Sequence, residues 1–275
     1  MVAHLVNPTR EQLNDCIDTG VPAVLQGLTA EWKASRDWNL DYFSRLVGAT
    51  KAQVVTSPSD MVYWDPKAGL AQKALTVSEF AEDLASRDEA DNRLYLQEDM
   101  SLFPALRQDY QLPKMISEKP IKRAKLWVSP GRMVTSLHYD AVETLHWVVR
   151  GAKRFVCFQP GVRSYYPYSW RTTAPFISRV DAANPDYDRY PRFRRARPVE
   201  FEVREGEILY LPAFWWHQVW SLSPMNISVN FVWFAKSAKN LRYLPQFARC
   251  ARHLAARLAE VRRKALVSQG LQSTT

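Results

Sequence analysis

With 275 residues, 47% of them hydrophobic and 24% charged, the chain has the size and composition of a soluble globular protein with one large core and room for an appended element. No apolar run approaches the roughly 18 residues of a membrane span, so no membrane association is expected. The net charge of +9 is concentrated rather than spread. Between Lys239 and Lys264 stand eight Lys/Arg residues against one acid, Glu260. Arg189, Arg192, Arg194, Arg195 and Arg197 form a second cluster. Such patches meet phosphate, acidic protein or solvent alone.

Three cysteines, Cys16, Cys157 and Cys250, are odd in number and widely spaced. They form no CxxC pair and point to reduced thiols rather than a disulfide framework. The first residues carry neither the charged nor the apolar region of a secretory signal, so the expected location is cytoplasmic.

In chain order, Thr9-Arg10-Glu11-Gln12 has capping-box spacing and opens a short helix through about Ile17. Val21 to Gly27 reads as a strand. Asn39 caps a second helix, Leu40 to Val47, closed by Gly48. Ala52 to Thr56 is a buried strand. Thr76-Val77-Ser78-Glu79 is another capping box before a helix with Phe80, Ala81 and Leu84 on its apolar face. Arg93 to Gln97 is a short strand with Tyr95 and Gln97 on one face.

From Lys125 the period becomes that of strands. Lys125–Ser129, Leu145–Val149, Arg154–Phe158, Phe201–Val203, Ile208–Leu211 and Ile227–Phe234 are rich in β-branched and aromatic residues and separated by Gly or Pro turns. Many short strands without long helices between them argue a mainly β, jelly-roll or cupin-like double sheet. Asn184 to Pro191 is turn-rich and reads as a rim insert. After Phe234 the pattern turns helical, with Phe247, Ala251, Leu254, Leu258, Val261 and Ala265 on one face and Arg249, Arg252, Arg257 and Arg262 on others. The expected organisation is residues 1–92 as N-terminal α/β elements on the core, 93–235 as the cupin core with a rim insert at about 161–198, and 236–275 as a C-terminal helical element.

The chemistry is carried by His138 and Asp140, two residues apart and on one face if the segment is a strand. An imidazole and a carboxylate make two-thirds of a metal site. A 2-His-1-carboxylate triad needs one more His on another strand, and His217, in Trp215-Trp216-His217, supplies it. The bland alternative is a pair of structural histidines; the strand spacing of His138 and Asp140 favours the metal. For Lys153 the bland alternative is a solvated charge at a hairpin.

Taken together, Thr135, His138-Tyr139-Asp140, Lys153, Gly206 to Pro212, His217 and Asn230, in this order, resemble the Jumonji-C, cupin-fold family of iron- and 2-oxoglutarate-dependent oxygenases. The resemblance runs from about Leu94 to Phe234. Within the family it is nearest to the asparaginyl hydroxylase that inhibits hypoxia-inducible factor, with the tRNA wybutosine hydroxylase next. It implies a double-stranded β-helix, with Fe(II) on His138, Asp140 and His217, and O2 and 2-oxoglutarate as co-substrates. The far carboxylate of 2-oxoglutarate would pair with Lys153 and be hydrogen-bonded by Tyr95 and Thr135. Asn230 sits where the family places a co-substrate-contacting Asn. Thr144 replaces an Asn of that hydroxylase, and His146 shares the strand parity of Thr144, so His146 either enters the co-substrate pocket or is a core histidine, and it is not a metal ligand. Val232, Phe176 and Ile177 also differ from it, which argues against asparagine hydroxylation of the same kind of peptide.

The function implied is hydroxylation of a protein or peptide side chain, with 2-oxoglutarate converted to succinate and CO2. Three alternatives stand beside it: hydroxylation of a tRNA base, tailoring of a small natural product, and, in a different class, a non-catalytic cupin-like binding protein. The resemblance also implies a homodimer through the C-terminal helices.

Overall fold

The computed structural model describes residues 1–268 other than 63, 66, 68, 87–92, 114–115, 117–120, 173 and 235–242. The joints expected at about 92 and 235 each touch residues outside that set. The first part runs β1 (Ala3–Val6), α1 (Arg10–Thr19), β2 (Ala23–Gln26), α2 (Lys33–Asp37), α3 (Leu40–Val47), β3 (Lys51–Ser57), β4 (Met61–Val62), β5 (Trp64–Asp65), β6 (Gly69–Leu70), β7 (Gln72–Thr76), α4 (Val77–Ser86) and β8 (Arg93–Asp99). There follow β9 (Arg123–Pro130), β10 (Val134–Tyr139), β11 (Glu143–Arg150), β12 (Ala152–Phe158), β13 (Val199–Arg204), β14 (Ile208–Leu211), β15 (Trp216–Ser221), β16 (Met225–Trp233) and α5 (Leu244–Ser268).

The early helices begin where short polar side chains satisfy their first N–H groups. The Thr9 hydroxyl accepts from the Gln12 N–H at 3.2 Å while the Gln12 side chain accepts from the Thr9 N–H at 2.9 Å. Thr76 and Glu79 repeat that box on α4, and Asn39 Oδ1 accepts from the Tyr42 N–H at 2.8 Å on α3. Gly48 follows α3 as expected, but in a right-handed conformation (φ −56°). What it supplies is space, since a Cβ there would come within 2.3 Å of Ser78 Oγ at the start of α4.

Two sheets face each other. The larger is ordered β1-β2-β14-β11-β16-β9-β8-β3-β7 and the smaller β13-β12-β15-β10-β4. The N-terminal strands thus extend the same sheet that the later strands build. Strand alternation sorts the side chains. Leu126, Val128, Leu145, Trp147, Val229 and Phe231 point outward from the larger sheet and pack with Leu13, Trp38, Phe43 and Phe80 beneath the helices. Leu137, Tyr139, Val156, Phe158 and Trp216 point outward from the smaller sheet, under Tyr165, Tyr190 and Phe193 of the 161–198 insert. Between the sheets, toward β13 and β14, Val148, Phe155, Cys157, Val203, Leu209 and Leu211 form an apolar plug. Toward β8, β9, β10, β15 and β16 the interior is polar, and the site lies there. This is the cupin-like jelly roll read from the sequence.

The C-terminal helix docks through its polar side. Gln246, 1% exposed, donates to the Phe214 carbonyl at 2.8 Å, Arg249 Nε donates to the Pro175 carbonyl at 2.8 Å, and His253 Nδ1 lies 3.1 Å from the Trp170 carbonyl. Phe247, Leu254 and Leu258, on the face that periodicity marked as apolar, are exposed.

Candidate active site

His138 and His217 are cross-strand partners on β10 and β15. Thr135 pairs with Val219 on the same ladder, and the register shifts between Thr135 and His138. In a regular strand, residues three apart point to opposite faces. Here two residues of β10, Ser136 and Leu137, oppose one of β15, Gln218, a β-bulge, so Thr135 and His138 both face the interior with His217 and Val219. Asp140 lies one residue past the end of β10, so its alignment with His138 depends on the turn as well as on strand parity.

Each imidazole is oriented by the chain two residues before it. His138 Nδ1 is 2.8 Å from the Ser136 carbonyl and His217 Nδ1 is 3.0 Å from the Trp215 carbonyl. A carbonyl only accepts, so each Nδ1 carries the proton and each Nε2 offers its lone pair to the interior. The ligand atoms of His138, Asp140 and His217 all lie within 4.8 Å of one another, with His217 Nε2 3.9 Å from Asp140 Oδ2. Burial first, then the neighbouring His138, holds His217 down at about 3, so it is neutral at physiological pH, the form that ligates a metal.

The turn carrying Asp140 and the approach to β15 are tied together. Phe214 occupies the left-handed region (φ +69°), a strained setting for a bulky residue. Its N–H donates to the Asp140 carbonyl at 2.7 Å, and its own carbonyl takes the Gln246 amide. Buried Glu143 accepts from the Tyr210 hydroxyl at 2.7 Å and the Ala213 N–H at 3.3 Å, fixing the other side of the same turn.

The remaining expected residues line one interior. Tyr95 is buried and hydrogen-bonded to Thr135, and burial raises its pKa. Lys153, 4% exposed, enters from β12 two residues after Gly151. Gly151 makes the β11–β12 turn at φ +81°, where a Cβ would lie 2.6 Å from the Met225 carbonyl. Among the described residues Lys153 has no ion-pair partner, and burial alone lowers it to about 8. His146 and Asn230 are register partners on β11 and β16, and His146 Nδ1 is hydrogen-bonded to Asn230 Oδ1. Burial, then Lys153, holds His146 well below its ordinary range, and its Nε2 is buried with no partner among the described residues. Thr144 is buried on the same face of β11, opposite Leu211 and Val232.

Strand parity adds residues the sequence did not single out. Trp127 on β9 and Ser228 on β16 are register partners facing inward, and Trp127 Nε1 and Ser228 Oγ are both buried without partners among the described residues. The Trp127 ring is 5.4 Å from that of Tyr95. The signal in the sequence was the alternation of Leu126 and Val128 with Lys125, Trp127 and Ser129, once the β9 register is known. Among the described residues the polar wall therefore holds an ammonium without an ion-pair partner and an imidazole nitrogen, an indole N–H and a hydroxyl without hydrogen-bond partners. A buried group of this kind costs free energy until an anionic, hydrogen-bonding ligand meets it. The three-ligand set of two neutral imidazoles and a carboxylate suits Fe(II) with coordination positions left open, and the unpaired Lys153 suits a carboxylate ligand reaching inward from it. The residues present fit both an iron ion and a keto diacid.

Residues 8–240 match the family described as the cupin-like domain. The chain is 31% identical over 246 residues to the human bifunctional peptidase and (3S)-lysyl hydroxylase JMJD7, covering 78% of this chain and 77% of that protein. It is 27% identical over 250 residues to the zebrafish (Danio rerio) lysine-specific demethylase 8, covering 83% of this chain and 60% of that protein. It is 26% identical over 262 residues to the Arabidopsis thaliana lysine-specific demethylase JMJ31, covering 81% of this chain and 48% of that protein.

Proposed function

The chain belongs to the cupin-like, JmjC-type family of 2-oxoglutarate oxygenases, and from that premise we propose that it hydroxylates a side chain of a protein substrate, using Fe(II), O2 and 2-oxoglutarate. The observation that carries this is the convergence of His138, Asp140 and His217 in one polar interior with Lys153, which is buried and, among the described residues, has no ion-pair partner. His138, Asp140 and His217 would hold the iron. Lys153, Tyr95 and Thr135 would hold the far carboxylate of the co-substrate, with His146, Asn230 and Thr144 along its length. When bound, these partners supply oxidative decarboxylation of the keto acid to succinate and CO2, coupled to insertion of an oxygen atom into a C–H bond.

The protein's part is position and exclusion of water. The two carbonyl-anchored imidazoles keep their Nε2 atoms aimed at one point. The Val148–Phe155–Leu209 plug closes the interior behind the co-substrate pocket. Asp140, whose side chain is 45% exposed, marks the open side where a substrate side chain would enter. A lysyl side chain is the substrate class to which the relatives' names point. The three free cysteines fit a reducing compartment, and we place the protein in the cytoplasm. No described helix is long and apolar enough to cross a membrane. The exposed Phe247–Leu254–Leu258 stripe supports a homodimer through α5.

A nucleic-acid substrate is the second reading. It rests on exposed arginines of the insert stacked on rings, Arg192 4.7 Å from the Tyr166 centroid and Arg194 4.5 Å from that of Tyr187. Binding to tRNA that weakens steeply with salt would favour it.

The test is an anaerobic titration of 2-oxoglutarate into Fe(II)-loaded protein, followed by the visible iron-to-keto-acid charge-transfer band, with His217→Ala and Lys153→Ala beside it. The band should vanish without His217 and need more 2-oxoglutarate without Lys153. Folded, iron-loaded protein that gives no band would remove the oxygenase reading.

A further inference from the structure

A second lysine faces the same interior. Lys125 shares its face of β9 with Trp127, and its register partners are Asn230 on β16 and Asp99 on β8. Asn230 is the residue that holds His146, so Lys125, Asn230 and His146 form one inward row across three strands. The Lys125 ammonium lies 5.5 Å from the Trp127 ring centroid. Burial lowers its pKa first, then Arg123, while Asp140 is foremost among the acids that act the other way. Lys125 is therefore on the metal side of the pocket, whereas Lys153, the register partner of Ser221 on β15, stands away from the triad.

Among the described residues, the acids near Lys125 are committed elsewhere. Asp99 pairs with Arg123 at 2.6 Å and caps the Ser101 N–H at 2.9 Å. Glu98 accepts from the Gln53 N–H at 2.7 Å. Asp140 is the carboxylate of the metal triad. Among the described residues Lys125 makes no ion pair. A partly buried ammonium set over an indole face, with its neighbouring acids engaged, calls for an anion from outside the chain.

We propose that Lys125 forms a second carboxylate subsite, at the metal end of the pocket, and that it takes the carboxylate adjoining the keto group of 2-oxoglutarate. The pocket then has a lysine for each carboxylate of a dianion: Lys153 for the far one, Lys125 for the near one. This rests on the co-substrate reading above and adds a residue that the triad and Lys153 do not require. It also makes the subsite selective, since a ligand lacking the near carboxylate leaves Lys125 unpaired.

The test uses anaerobic, Mn(II)-loaded protein and calorimetric titration with two probes: 2-oxoglutarate, and 2-oxopentanoate, which keeps the keto acid end and lacks the far carboxylate. Lys125→Met should weaken both probes by the same factor, roughly ten- to a hundredfold for a lost charge-assisted contact. Lys125→Arg should retain most of the affinity. Lys153→Met should weaken 2-oxoglutarate and leave 2-oxopentanoate unchanged. Lys125→Gln serves where the Met variant does not fold. Mn(II) affinity, measured in the same proteins, should be unchanged or tighter once a cation near the site is gone. Unchanged 2-oxopentanoate binding in Lys125→Met or Lys125→Gln overturns the proposal, as it would if Lys125 served an acidic substrate side chain instead. Weaker Mn(II) binding also overturns it, since Lys125 would then be acting on the metal site. Wild-type protein that takes up neither probe overturns the co-substrate reading itself.

Discussion

His138 and His217 face each other across two antiparallel strands, ring centroids 4.1 Å apart, each with Nδ1 against a carbonyl two residues earlier in its own chain. The same local device on two strands sets both tautomers. The proposed metal-binding geometry is thus built into the backbone of β10 and β15, and Asp140, from the turn, completes it from outside the ladder. Removing either His leaves two of the three proposed ligands. His217→Ala and His138→Ala should each lower Mn(II) or Fe(II) affinity by at least about a hundredfold, more than loss of an outer-shell partner does. Metal titration by calorimetry reads this directly.

Lys153 gives a pH prediction with a definite sign. Its folded-state pKa of about 8 is below the usual lysine value of 10.5, so the charged form is disfavoured by folding. Below about pH 8 the metal-free, ligand-free protein carries the full penalty, about 3 kcal/mol. The penalty fades as pH rises from about 8 and is gone above the unfolded-state value. Lys153→Met should therefore be more stable than wild type at pH 7, and the difference should shrink toward pH 10.5. Denaturant melts of the two proteins across that range check it. In the same window 2-oxoglutarate should bind more weakly as pH rises, because its partner loses charge.

Gln246 links the C-terminal helix to the metal turn. Its amide holds the carbonyl of Phe214, whose strained backbone donates to the Asp140 carbonyl. Gln246→Ala leaves a buried carbonyl unpaired and should cost about 1–3 kcal/mol. It should also weaken metal binding, because Asp140 loses its brace. Gln246→Glu should not restore either property, since a carboxylate cannot donate to a carbonyl. Chemical denaturation together with a Mn(II) titration separates the two effects.

How much of this was legible in the sequence depends on what each feature obeys. The helix starts at Thr9, Asn39 and Thr76 were readable because capping is decided within four residues. The His-x-Asp pair and the distal His were readable as residue types in order. The bulge between Thr135 and His138 was not, since it is a property of the pairing of two strands 80 residues apart in the chain rather than of either alone. Trp127, Ser228 and Lys125 escaped for the same reason: their face is fixed only by the β9–β16 register. On α5, periodicity located an apolar face, but the docked side was chosen by Gln246, Arg249 and His253 finding carbonyls on the body. Period identifies faces; it does not say which one is covered.

Asp109 offers a control remote from the metal. Fully buried, it accepts from Trp38 Nε1 at 2.9 Å, the Tyr42 hydroxyl at 2.8 Å and Lys33 Nζ at 3.0 Å, pinning α2 and α3 to the segment after β8. Asp109→Ala strands two buried donors at once and should cost about 3 kcal/mol or more. Mn(II) affinity of the folded fraction should stay at the wild-type value. Because β2 pairs with β14 and β3 with β8, the loss should appear as one shifted thermal transition by both near-UV and far-UV circular dichroism. Two separated transitions would instead mark the N-terminal elements as an independent unit.

The outward stripe of α5 makes the dimer testable. Phe247, Leu254 and Leu258 are 43%, 60% and 58% exposed and fall at helical spacing on the side away from the body. An apolar stripe of this kind is stabilised by burial against a second copy, at about 25 cal/mol for each Å² covered. Light scattering of wild-type protein should give twice the chain mass. Leu254→Lys with Leu258→Lys should give the monomer, because two ammonium groups on each helix would have to be desolvated against two more. Gln246, Arg249 and His253 lie outside the stripe, on the docked side of the helix, and keep their bonds, so Mn(II) binding of the monomer should match wild type. A wild-type monomer would leave the stripe as a solvated helix face and end the homodimer reading, with the metal site untouched.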